Sequence, residues 1–300
     1  MKRLIAVLLL LIIPNFCLAD WVGTKDPRRY VTDEEKAVFP YNKVVKIRVG
    51  EDFSTGTIVA PNIILTCGHC IGDLKKDSAV NFYTTNGGVN TGYVWYVSNV
   101  ENIADDYALI VFKNKNEGPF LNVSDVAVPD RNVMRVGYDS LKILQDDEIP
   151  VVKNVFVDVL NRYKKITDAN VFDAMEEVES QLKKRSCKSI SDTNCVRCSG
   201  GGSCIFDDGD KLKVQESCSA TSIQLVHGGG KLISTNCAGN HGASGSPMID
   251  SSRKNIIGVL VGTYGFGVGG EVKNYGIMPE MFSEKTKTLV NMSNNGLIEF

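Results

Sequence analysis

Apolar positions along the chain fall into short runs bounded by Gly, Pro, Asn and Asp. Val44-Val45-Lys46-Ile47-Arg48-Val49 alternates in part, and Thr57 to Ala60 and Ile63 to Thr66 flank a Pro61-Asn62 turn. Val80 to Thr84, Tyr93 to Val97 and Ala108 to Phe112 follow. Runs of this length, separated by turn formers, predict strands, and the pair around Pro61-Asn62 predicts a hairpin. Six short strands at this spacing predict a small antiparallel barrel. After a polar stretch from Asn114 to Pro119, read as a linker, a second β-rich set begins at Val133 to Tyr138. It continues through Val151 to Leu160, Ser222 to Val226, Leu232 to Thr235, Pro247 to Asp250, Ile256 to Val261 and Tyr275 to Met278. The pattern changes at Asp168 to Lys184, where Val171, Phe172, Met175, Val178 and Leu182 share one helical face. Cys187 to Cys218 is rich in Ser, Gly, Asp and Cys. We therefore expect an all-β chain with a first barrel over 41–115 and a second β unit over 116–300. A cysteine-rich, helix-containing insertion is expected over 163–215. A C-terminal helix is expected over Pro279 to Asn295, since Pro favours a helix start and Gly296 lies just past the end.

The first residues carry a different signal. Lys2 and Arg3 precede the apolar run Leu4 to Ile13, which is too short to span a bilayer comfortably. With Cys17-Leu18-Ala19 behind it, the run reads as a secretory signal peptide, residues 1–19, followed by an N-terminal segment over 20–40. The expected product is exported, secreted or periplasmic, and free of the membrane after cleavage. Loss of Cys17 leaves an even set: Cys67, Cys70, Cys187, Cys195, Cys198, Cys204, Cys218 and Cys237. In an oxidising space such a set reads as disulfides, although spacing alone does not fix the pairing. Apolar residues at 43% and charged residues at 23% exclude disordered, collagen-like and polytopic membrane classes. A net charge of −2 gives no broad basic field for nucleic acid.

Three segments carry candidate chemistry. Leu65-Thr66-Cys67-Gly68-His69-Cys70 ends an apolar strand, Asp105-Asp106-Tyr107-Ala108-Leu109-Ile110 places acid before a strand, and Gly242-Ala243-Ser244-Gly245-Ser246-Pro247 brackets a serine with glycines. A serine hydroxyl becomes a good nucleophile only when a base takes its proton, and neutral imidazole does so near pH 7. A carboxylate fixes the imidazole tautomer and stabilises the imidazolium. Gly242 lets backbone N–H groups turn towards a developing oxyanion, and Gly245 relieves crowding after the serine.

These segments resemble the chymotrypsin-like (trypsin-like) serine peptidases. T-C-G-H-C is similar to that family's T-A-G-H-C, D-Y-A-L to its D-I-A-L and G-A-S-G-S-P to its G-[DN]-S-G-[GS]-P. The S-G-S-P ending and Pro40-Tyr41 most resemble the bacterial glutamyl endopeptidase subgroup. The resemblance covers Asp33 to Met278 apart from the insertion. It implies two six-stranded antiparallel β-barrels with a site in the cleft between them. It also implies a serine-type endopeptidase that hydrolyses protein or peptide substrates through an acyl-enzyme, without cofactor or metal. His69 would be the base, Asp106 its orienting acid and Ser244 the nucleophile. The Gly242 and Ser244 N–H groups would form the oxyanion hole. Leu260, Val261, Gly262 and Thr263 would lie along the substrate, and Ala238 at the base of the specificity pocket. With Ala238 and Leu260 at the positions where relatives place charged or histidine partners, an uncharged side chain before the scissile bond is expected. Relatives also imply a Cys218–Cys237 disulfide. Ala243 stands where digestive relatives place the aspartate that receives a new N-terminal amine, so that activation device is not expected. Trimming at Arg28-Arg29 would act only by unblocking the cleft.

The same residues admit other readings. Cys67-Gly68-His69-Cys70 spells a disulfide-isomerase motif, but a β-hairpin precedes it and no βαβ unit follows. Cys187, Cys195, Cys198 and Cys204 have the composition of a four-thiolate zinc site, against which export argues for disulfides. Asp105 is the rival acid, and His241 is read as a loop residue at the cleft edge. The alternative function is a catalytically idle homologue that binds a partner through its cysteine-rich insertion.

Overall fold

In the computed structural model of the chain, the described residues are 26–98, 103–123, 131–140, 142–163, 171–187, 196–197, 209–224, 231–239, 241–264, 273–278 and 282–296. The expected signal peptide and Cys195, Cys198 and Cys204 lie outside them. In chain order the strands are β1 (Arg29–Tyr30), β2 (Val44–Val49), β3 (Asp52–Ala60), β4 (Ile63–Thr66), β5 (Ala79–Tyr83), β6 (Val89–Val97), β7 (Ala108–Phe112) and β8 (Arg131–Tyr138). They continue as β9 (Ser186–Cys187), β10 (Val196–Arg197), β11 (Leu212–Gln224), β12 (Lys231–Thr235), β13 (Pro247–Ile249), β14 (Ile256–Tyr264) and β15 (Lys273–Ile277).

The first six-strand set forms a closed antiparallel barrel in the order β2-β3-β4-β7-β6-β5. Its strands follow the period-two rule. Val45, Ile47, Ile58, Ile64, Val80, Phe82, Val94 and Ile110 pack together inside the barrel. Their neighbours Val44, Val59, Ile63, Leu65, Leu109 and Val111 face outwards into a shared core with Val136, Leu212, Val214, Val259 and Val261. β4 and β7 are therefore buried on both faces, which is why they read as unbroken apolar runs. His69 and Asp106 flank these two strands, so fully buried strands carry them.

The second sheet has seven strands, with β1 added to the edge of β11. Six of its strands pair in a circuit, because β8 meets both β13 and β11. The segment that contains Ser244 lies between β12 and β13, and β14 meets it through main-chain hydrogen bonds of Leu260.

Three expectations are corrected. Val151 to Leu160, expected as a strand, lies within a helix, Ile149–Tyr163. Its β-branched composition suits a strand, but Ile149, Val152, Val155 and Val159 recur at helical spacing and are all buried, so packing of that face overrides propensity. It packs with a second helix, Val171–Lys184, inside the region expected to be helical. The helical excursion thus begins before residue 163, and β11 is already established at Leu212, so Cys218 sits in a sheet strand. The C-terminal helix is Glu284–Asn294 rather than starting at Pro279. Ser283 is its N-cap and accepts the Thr286 N–H, which satisfies a donor that would otherwise be orphaned. No described helix is long and apolar enough to cross a membrane.

Candidate active site

β4 ends at Thr66 and the chain turns through Cys67-Gly68 into a short 3-10 turn, His69–Ile71. The Ile71 N–H closes on the Gly68 carbonyl at 3.0 Å. A Cys67–Cys70 disulfide, with Cα atoms 5.2 Å apart, staples the same turn. With the two sulfurs joined, Cys67, His69 and Cys70 offer no thiolate pair to a metal, and the cysteines sit at a barrel strand's end rather than at the head of a redox helix.

Asp106, 4% exposed, precedes β7 and faces this turn with both carboxylate oxygens. Oδ1 accepts the His69 backbone N–H at 2.7 Å, and Oδ2 contacts His69 Nδ1. Asp106, not Asp105, is the acid against the imidazole. A carboxylate at Nδ1 fixes the proton there and leaves Nε2 with its lone pair. The neighbouring Tyr107 is fully buried, and its hydroxyl accepts the Ser283 N–H at 3.0 Å, so the start of the C-terminal helix braces the acid-bearing segment.

Hydrogen bonds hold successive peptide groups of the serine loop. The Ser140 N–H donates to the His241 carbonyl at 2.8 Å, and the Ser246 N–H to the Ala243 carbonyl at 3.0 Å. A peptide group is planar and trans, so holding each carbonyl aims the N–H of the next residue the opposite way. Those N–H groups belong to Gly242 and Ser244. Between them, the Thr55 hydroxyl donates to the Gly242 carbonyl at 2.9 Å and accepts the Tyr138 N–H at 2.9 Å. The Thr55 N–H donates to the Ser244 carbonyl at 2.9 Å, and the Gly245 N–H to the Leu260 carbonyl at 2.7 Å. Gly242 has φ +90° and Gly245 φ +83°. A Cβ on Gly242 would fall 2.1 Å from the Phe53 ring, and one on Gly245 1.9 Å from the Thr55 carbonyl oxygen. Only glycine fits both positions.

Thr55 also joins the serine loop to the histidine strand, since the Thr66 hydroxyl donates to the Thr55 carbonyl at 2.7 Å. Thr66 precedes His69 by one turn, so the loop of Ser244 is seated on the end of β4. His241 lies beside the loop at the surface, edge-on to Phe53, with its Nε2 3.7 Å from Asp52.

The expected substrate-facing residues divide into two groups. Leu260 uses both backbone groups on the serine loop, its N–H reaching the Ser246 carbonyl at 2.9 Å. The register shifts between Leu260 and Gly262, so Val261 is the extra residue of a bulge. Gly262 and Thr263 pair with Tyr275 and Asn274 of β15, and a Cβ on Gly262 would meet nothing within 4 Å. Ala238 is buried at 1%, with its N–H on Gln215 Oε1 at 2.7 Å and its carbonyl against the Arg135 guanidinium. Cys237 next to it is disulfide-bonded to Cys218, with Cα atoms 5.0 Å apart. Thr55, Arg135, Asp139, Ser140 and Lys213 escaped the sequence reading. Arg135 had a visible signal, a charge at an inward position of the apolar run Val133 to Tyr138.

The family model described as Trypsin matches residues 31–282. A search of curated proteins found no match. Among solved structures, a Glu endopeptidase in complex with MPD is similar at 18% identity and TM-score 0.51, covering 92% of this chain and 100% of that one. The inactive form of the Rv3671c protease of M. tuberculosis matches at 15% identity and TM-score 0.44, over 83% of this chain and 88% of that one. The apo MamO protease domain from Magnetospirillum magneticum matches at 13% and 0.43, over 80% and 93%. The first likeness identifies the architecture as chymotrypsin-like, a closed six-strand barrel with a second sheet. Since the family match spans most of the chain, the protein belongs to the trypsin family of peptidases.

Proposed function

We propose that the chain is an exported serine endopeptidase whose catalytic residues are His69, Asp106 and Ser244. One observation carries this reading: Asp106 grips both the backbone and Nδ1 of His69, while Thr55 ties the Ser244 loop to the strand that ends at that histidine. The two halves, 41–115 and 116–300, contribute the base with its acid and the nucleophile respectively.

In this mechanism His69 Nε2 takes the Ser244 hydroxyl proton as the oxygen attacks the scissile carbonyl carbon. The Gly242 and Ser244 N–H groups hold the oxyanion, and Asp106 stabilises the imidazolium. His69 then returns its proton to the leaving amine, which departs and leaves an acyl ester on Ser244. A water gives its proton to Nε2 and attacks the ester, and His69 passes that proton to the departing Ser244 oxygen as the acid is released. The chemistry needs no metal or cofactor.

The buried Ala238 and Leu260 offer no charge to the substrate side chain preceding the scissile bond, so an uncharged residue is expected there. The disulfides suit the oxidising destination that the leader Met1 to Ala19 specifies. The test is hydrolysis of an unfolded protein by the wild type and by Ser244→Ala. Cleavage by the wild type alone is expected. Equal cleavage by both would reject the assignment, and no cleavage by either would favour the idle homologue.

A further inference from the structure

Behind the serine loop lies a buried charge cluster that the proposed mechanism does not use. Arg28, Arg135 and Lys213 supply three cations, and Asp26 and Asp139 two carboxylates. Their side chains are at most 1% exposed. Asp139 is the hub. Its Oδ1 accepts Arg28 at 2.7 Å and its Oδ2 accepts Arg135 at 3.0 Å. The shortest contact of Lys213 with it goes elsewhere: Nζ donates to the Asp139 main-chain carbonyl at 2.6 Å, with Oδ1 farther off at 3.4 Å.

That carbonyl belongs to the peptide group whose N–H is that of Ser140. The Ser140 N–H in turn donates to the His241 carbonyl at 2.8 Å, in the peptide group whose N–H is that of Gly242. A continuous series therefore runs from the Lys213 ammonium through two peptide groups to the Gly242 N–H. Each group is planar, so each held carbonyl orients the next N–H. Hydrogen bonds in series polarise one another, and an ammonium at the head directs the positive end of the series towards Gly242. Away from water this polarisation is weakly screened. If the 241–242 peptide rotated, the Ser140 bond would break and a carbonyl would replace the N–H donor.

We propose that Lys213 is a positioning residue for the oxyanion site, orienting and polarising the Gly242 N–H through the 139–140 and 241–242 peptides. The inference rests on the serine-peptidase reading above. Arg28 and Arg135 keep the Asp139 side chain in place, so the N-terminal segment is part of the same brace.

The test uses Lys213→Met in the full chain. Met has similar length and leaves two cations facing two carboxylates among the five positions, so no charge there loses its only counter-charge. Wild type must first be labelled at Ser244 by a fluorophosphonate; if it is not, the peptidase reading fails and this inference with it. With wild type labelled, turnover and affinity for a peptide aldehyde, which forms an oxyanion on Ser244, are measured beside KM and the melting temperature. Both are expected to fall together in Lys213→Met, on the order of 10-fold, below the ~10²–10³-fold cost of deleting an oxyanion donor outright. KM should hold, and Lys213→Arg should recover part of the loss. A folded Lys213→Met with wild-type turnover and aldehyde affinity would overturn the inference alone. Should Lys213→Met not fold, amide exchange of the wild type decides: Ser140 should exchange as slowly as the core of β8, and exchange at exposed-loop rates would overturn it.

Discussion

The Thr55 hydroxyl shows how much of the proposed site depends on single groups outside the triad. It is fully buried, bonded to Gly242 and Tyr138, and its backbone holds Ser244. Thr55→Val keeps the shape and removes the donor, leaving the Gly242 carbonyl and Tyr138 N–H unsatisfied. Turnover should fall at least ~10-fold, with a stability loss of about 1–3 kcal/mol by denaturant titration, and Thr55→Ser should restore both. Within the triad, Ser244→Ala or His69→Ala should each remove about 10⁶-fold in turnover, because the residues act as a unit, and Asp106→Asn about 10⁴-fold. The proposed triad could be put forward from the sequence because His69, Asp106 and Ser244 sit in short motifs whose chemistry is local. Thr55 was not, because Ser54-Thr55-Gly56-Thr57 reads as ordinary strand and its partners come from far along the chain. Lys213 was hidden for the same reason, since a lysine that alternates with Leu212 and Val214 two residues after Lys211 carries no sign of burial.

Among the elements, the first barrel was readable nearly strand for strand, since each of its six runs alternates or is bounded by turn residues. Ile110 fills its interior, and Ile110→Ala should cost about 2–5 kcal/mol in equilibrium unfolding while leaving the site residues in place. The helix Ile149–Tyr163 was misread because Val151, Val152, Val155, Val157 and Val159 favour strand by propensity. Its burial repeats at helical spacing, and that periodicity decided the outcome. β11 was underestimated because its start, Leu212 to Cys218, is joined in composition to the cysteine-rich stretch. The Cys218–Cys237 disulfide connects this strand to the chain entering the serine loop. Replacing both cysteines with serine should lower stability by about 3 kcal/mol on the loop-closure argument. Unchanged stability would mean that β11 and β12 alone fix the approach to Ser244.

Across the whole molecule, the seven-stranded sheet and the N-terminal segment meet at the buried charges around Asp139. Burial alone would raise the Asp139 carboxyl, but Arg28 above all, then Lys213 and Arg135, hold it down at about 2. An unfolded aspartate titrates near ~3.9, so this carboxylate contributes its full stability above that pH. The contribution is lost as pH falls from about 4 towards 2. Melting temperature should therefore decline through that window, and more gently in Asp139→Asn, whose side chain does not titrate. A variant with the wild-type slope would place the acid sensitivity elsewhere. The central claim, that the Asp106–His69 pair and the braced serine loop form a working nucleophile, is tested most directly by a fluorophosphonate probe followed by peptide mapping. The account predicts one labelled residue, Ser244, with labelling lost in His69→Ala. A folded chain that stays unlabelled, or carries the label on another residue, would contradict it.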